Sequence, residues 1–97
     1  MTKMEVAKTI LEQLGGNMFV VMTGARNFVA TGAGIRFRVP CRKANIVEIT
    51  LTPGDEYDMQ FSLLRAGKIK EVEKYEGLYF DQLAPIFSEV TGFHTKL

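Results

Sequence analysis

Apolar side chains recur along this chain with two different periods, and the change of period divides it. Over residues 3–14, Val6, Ala7, Ile10, Leu11 and Leu14 stand three and four apart, which predicts a helix with one apolar stripe. Thr2 stands three residues before Glu5, the spacing of a capping box in which each side chain satisfies an end N–H. Gly15-Gly16 is expected to stop the helix, because glycine takes the left-handed conformation needed just past a last turn. From Asn17 to about Tyr75 the period falls to two. Met18-Phe19-Val20-Val21-Met22 is a continuous apolar run, which predicts a strand covered on both faces. Thr23-Gly24-Ala25 breaks it, Asn27 to Ala30 resumes, and Thr31-Gly32-Ala33-Gly34 suits a hairpin turn.

Beyond that turn, Ile35, Phe37 and Val39 alternate with Arg36 and Arg38, so the apolar set faces in and the arginines face out. Pro40 ends this strand for want of a donor N–H. Val47, Ile49 and Leu51 define the next strand within Asn45 to Thr52, and Pro53-Gly54-Asp55 makes a turn. Tyr57, Met59, Phe61 and Leu63 line one face of another strand. After Ala66-Gly67 comes the charged segment Lys68 to Tyr75, whose lysines suit an exposed edge strand. A last helix is predicted over about Leu78 to Thr91, with Tyr79, Leu83, Ile86, Phe87 and Val90 as its buried stripe. Pro85 is awkward inside it, so the regular helix either starts near Asp81 or kinks. Gly92 fits the residue just past its end, with Phe93 falling back on Phe87. Helix, five to six strands and helix give an α+β fold: an antiparallel meander with both helices on one face.

Length and composition narrow the reading. Ninety-seven residues make a single domain spanning 1–97, and 46% hydrophobic residues with a net charge of +1 argue against disorder. The chain has neither a run of about 20 apolar residues nor a signal-peptide pattern, so a cytoplasmic, non-membrane protein is expected. One cysteine, Cys41, leaves no internal disulfide, and one Cys with one His cannot build a zinc ribbon.

Catalytic chemistry is thinly represented. Cys41 and His94 form the sole thiol–imidazole pair, and they stand far apart in the chain. The carboxylates fall in turns or on predicted solvent faces. Asp58, between Tyr57 and Met59, is the exception to watch, although alternation places it outside. Gly32-Ala33-Gly34 leads into a strand, not into the helix that a phosphate loop requires. No metal site, no cofactor and no enzymatic activity are expected.

Charge is distributed less evenly. Residues 1–50 hold seven Lys or Arg and three Asp or Glu, whereas residues 51–97 hold five and eight. Arg26, Arg36, Arg38, Arg42 and Lys43 all lie in a stretch from Gln13 to Val47 that contains no acid. Arg36 and Arg38 should project from one strand face about 6–7 Å apart, close to a phosphate spacing. Phe28 would add a stacking surface if it faced outward. These five cations are the candidate site for a nucleic acid or other anion, although the small overall excess falls short of the usual nucleic-acid footprint.

Several segments together resemble a family of short proteins encoded by bacteriophages, prophages and other bacterial mobile elements. They are Ile10-Leu11-Glu12-Gln13-Leu14-Gly15-Gly16-Asn17, Met22-Thr23-Gly24-Ala25-Arg26-Asn27-Phe28, Ile49-Thr50-Leu51, Tyr57-Asp58 and Phe87-Ser88-Glu89-Val90-Thr91-Gly92. Met-Thr-Gly-Ala-Arg-Asn-Phe is the most specific of them, and Pro85 departs from the family pattern. The resemblance implies the cytoplasm of a bacterial host. The family carries no established activity, so no residue role is transferred. Two binding readings stay open. One is a non-catalytic module acting by protein–protein contact on a host or phage complex, as an inhibitor of host defence or regulation. The alternative is nucleic-acid or nucleoprotein binding through the arginine strand. Self-association through edge strands is a further opening, with no symmetry fixed.

Overall fold

The apolar stripe of the first segment is the buried face of helix α1 (Lys3–Leu14), with Val6, Ala7, Ile10 and Leu14 in the core. The computed structural model describes residues 3–93. The Thr2 cap, the Lys3 side chain and His94 lie outside the described residues. Gly15 ends α1, its N–H donating to the Glu12 carbonyl at 3.1 Å.

The Met18–Met22 run is not a strand. It lies within a second helix, α2 (Gly16–Thr23), entered through Gly15 at φ 131° and left through Gly24 at φ 71°. Phe19 and Thr23, four apart, form its buried face, while Val21 is 77% exposed. A strand would need cover on both faces to bury five consecutive apolar residues. Here only one side of the run is covered, and a helix buries Phe19 while releasing Met18 and Val21 to the surface. The Thr23 hydroxyl closes the last turn by donating to the Phe19 carbonyl at 2.7 Å.

Five strands follow: β1 (Arg26–Ala30), β2 (Gly34–Arg38), β3 (Ile46–Leu51), β4 (Tyr57–Arg65) and β5 (Lys68–Leu78). They form one antiparallel meander in the order β1-β2-β3-β4-β5, so β1 and β5 are its edges. Ile35, Phe37, Val47, Ile49, Tyr57, Met59 and Phe61 face the helices and fill the core. Gly34 is small for a packing reason: a Cβ there would overlap the Ile49 carbonyl of β3. In β5 the pairing slips by one residue between Tyr75 and Leu78, where Gly77 stands at φ 68°. Asp58 Oδ1 accepts the Gly77 N–H at 3.2 Å, so this carboxylate supports the bulge.

The last helix starts later than its stripe suggests. Leu78 still belongs to β5, Tyr79 is extended, Phe80–Gln82 is a 3₁₀ turn, and α3 runs Leu83–Thr91. Tyr79 therefore sits outside the buried stripe and is 60% exposed. Pro85 becomes the third residue of α3, in the first turn, where a missing N–H costs no intrahelical bond. Gly92 at φ 78° caps the other end by donating to the Ser88 carbonyl at 2.8 Å.

Two substitutions separate α2 from a buried strand in urea denaturation followed by circular dichroism. Phe19→Ala is expected to cost about 3–5 kcal/mol, the usual loss for a fully buried Phe. Val21→Lys is expected to change stability by less than about 0.5 kcal/mol, as at an ordinary surface site. A two-sided strand would make both costly.

Candidate binding face

Because α1, α2 and α3 share one face of the sheet, its other face is left bare. Registers define two cross-strand rows there. Arg26 lies opposite Arg38, which lies opposite Ile46, then Ser62 and Glu71. Val29 lies opposite Arg36, followed by Glu48, Gln60 and Lys74. Paired residues in a sheet project to the same side, so each row mixes both charges with neutral groups. Arg36 and Glu48 form a loose ion pair at 3.8 Å, with both side chains well exposed. Such a pair contributes under about 1 kcal/mol, yet it partly neutralises Arg36. Arg26 and Arg38 are directly opposite like charges, which destabilises the pairing on its own.

Apolar groups fill the gaps between these charges. Val29, Ile46 and Leu64 line a shallow groove of about 180 Å³ together with Asn27, Arg36 and Arg38. Val29 also belongs to a second, almost entirely apolar cleft of about 360 Å³ between α1 and β1, shared with Met4, Leu11 and Phe28. Apolar surface thus runs from the bare face around the β1 edge to α1. Val29 is 47% and Phe28 36% exposed along it. Short length, the bulge at Asn27 and Arg26 protect this edge, with Lys8 of α1 beside its cleft, whereas β5 is protected by Lys68, Lys70 and Lys74.

Phe28 does not stand beside the arginines. One extra residue in β1 shifts the register between Arg26 and Val29, with Asn27 at φ 58°. This bulge turns Phe28 to the helix side, where its ring lies 5.2 Å from that of Phe37. The same bulge brings Val29 out, a placement that simple alternation along β1 does not reveal.

The five candidate cations divide into two groups. Arg26, Arg36 and Arg38 share the bare face. Arg42 and Lys43 are exposed on the bend between β2 and β3. That bend is anchored by Asn45, whose Oδ1 accepts the Leu64 N–H at 2.8 Å and whose Nδ2 donates to the Leu64 carbonyl at 2.9 Å. Lys43 lines a different groove, with Glu73, Tyr75 and Glu89, near α3. Cys41 is half-buried and its thiol donates to the Thr91 carbonyl at 3.8 Å, tying the same bend to the end of α3.

Among the described residues no three His, Cys, Asp or Glu converge as metal ligands. No described helix is long and apolar enough to cross a membrane. No protein-family model matches the sequence, and neither a curated protein nor a solved structure matches it.

Tyr75 ionises above the ordinary 10.0, first because burial disfavours the phenolate, then because Glu73 repels that charge and accepts the phenol's hydrogen bond, with Glu89 adding repulsion. A folded-state pKa above the unfolded one gives stability that is whole below the unfolded value and is lost as pH rises through the folded one. Tyr75→Phe should therefore flatten the decline of stability above pH 10.0, read as urea midpoints across alkaline pH.

Proposed function

We propose that this chain is a non-catalytic binding protein of a bacteriophage or mobile element, acting in the cytoplasm of its bacterial host. It engages a protein complex of the host or of the phage through the β1 edge and the adjoining bare face. The observation that carries this reading is the continuous apolar surface around β1, from Met4 and Phe28 to Val29, Ile46 and Leu64, set among arginines. Arginine beside aliphatic and aromatic groups is the composition of protein interface centres. A phosphate track has no need of the apolar side chains.

A second reading rests on Arg26 opposite Arg38. Two like charges held side by side favour an anionic group between them, which a nucleic acid or an acidic side chain could supply.

Paired experiments decide between them. Bacterial host lysate passed over immobilised protein should yield a stoichiometric partner. Purified, that partner should bind Val29→Lys with affinity reduced by about tenfold or more, about 1.4 kcal/mol, while the variant keeps its thermal midpoint. Labelled DNA and RNA should show no micromolar binding at near-physiological salt. Binding that weakens steeply with salt and disappears in Arg26→Ala with Arg38→Ala would instead select the nucleic-acid reading.

A further inference from the structure

A separate cleft of about 270 Å³ opens at the end of the sheet, between α1, the β3–β4 turn and the segment leading into α3. Its size suits a fragment smaller than a drug-like ligand. Thr9 and Gln13 line it from one α1 face, Asp55 from the turn, Tyr57 from the start of β4, and Tyr79 and Phe80 from the entry to α3. No lysine or arginine lines it, and Asp55 supplies its charge.

Three features of this lining call for the same kind of ligand. Gln13 Oε1 is buried and has no hydrogen-bond donor. A buried acceptor left unmatched is costly, and a turn of the Gln13 side chain into the cleft would let a ligand N–H satisfy it. Tyr79 and Phe80 are each 60% exposed, which is unusual for neighbouring large aromatics in so small a domain. The backbone that carries them is tied down: the Tyr79 N–H donates to Gln82 Oε1 at 2.8 Å, and the Gln82 N–H donates to the Tyr79 carbonyl at 2.9 Å. Asp55 stands at φ 61° in a turn cross-tied by Thr52, whose N–H and hydroxyl both donate to the Glu56 carbonyl, at 2.8 and 3.0 Å. Exposed aromatic side chains, a carboxylate on a tied turn and an unmatched amide oxygen, with no competing cation, suit a positively charged N–H donor.

We propose that this cleft binds a primary ammonium or guanidinium group, with Asp55 as its counter-ion, Gln13 as acceptor, and Tyr79 and Phe80 as its π walls. The group could be carried by a small free amine or by the side chain of a partner's Lys or Arg. The site lies away from the β1 edge, so it stands or falls independently of the interface proposed above.

The test is a titration of the isotope-labelled protein by two-dimensional NMR with n-butylammonium, n-butylguanidinium and n-butanol. Saturable shifts are expected at Gln13, Asp55, Tyr79 and Phe80 for the two cations, with n-butanol weaker by about tenfold or more. Asp55→Asn and Tyr79→Ala should each weaken the cations by about tenfold, and both should fold, since Asn accepts a positive φ as Asp does and Tyr79 is exposed. Blocked lysine and arginine (Nα-acetyl, methylamide) identify the source. Binding equal to the butyl cations indicates a polypeptide side chain, and loss of binding indicates a free amine. Equal affinity for n-butanol, or no localised shift up to about 10 mM cation, would overturn the proposal and leave water as the partner of Gln13.

Discussion

Three phenylalanines from three different elements meet at the centre of this protein, and the placement of the helices depends on them. Phe19 of α2 stands edge-on to Phe37 of β2 at 5.6 Å and to Phe87 of α3 at 4.9 Å, and Phe37 and Phe87 lie 6.2 Å apart. All three are completely buried. Each ring removes enough apolar surface from water to contribute about 1.5–3 kcal/mol, and the edge-to-face geometry adds about 0.5–1.5 kcal/mol per pair. The trio therefore acts as the junction that holds α2 and α3 on the same side of the sheet.

Placing every helix on one side has a consequence for the other. A sheet face without cover must tolerate water, and here it does so with alternating charge: Arg36 beside Glu48, and Glu71 and Lys74 at the far edge. The surface is not uniformly polar, because the β1 bulge exposes Val29 next to Ile46 and Leu64. The two edges also differ in kind. β5 is long and protected by lysines and glutamates, whereas β1 is protected by its shortness and its bulge and borders an apolar cleft toward α1. The proposed interface rests on that apolar cleft and the groove beside it.

The turns and strand ends are equally specific. Gly34 lets β2 approach the β3 backbone, Asp58 fills the hydrogen-bonding gap at the Gly77 bulge, and Asn45 substitutes its side chain for a strand residue against Leu64. They fix the bends that carry Arg42 and Lys43 on one side of the molecule and the edge that leads to Tyr79 on the other.

Where one side of an element faces the core and the other faces water, its sequence alone determined its structure. The α1 stripe and the alternation in β2, β3 and β4 were legible because each writes burial into a local period, while the exposed edge β5 was legible from its lysines and the cap after α3 from its glycine. Arg36 and Arg38 were legible as outward-facing for the same reason. What failed was what depends on distant partners. Met18–Met22 has no period of its own, and only Phe37 and Phe87, far along the chain, decide that Phe19 is buried from a helix. Tyr79 continues the spacing of the α3 stripe, yet β5 runs on to Leu78 and leaves it outside. A single added residue at Asn27 turns Phe28 in and Val29 out, and no alternation rule counts it. The candidate cation cleft draws on four segments from Thr9 to Phe80. Their meeting is set by tertiary packing, since no local period relates residues so far apart.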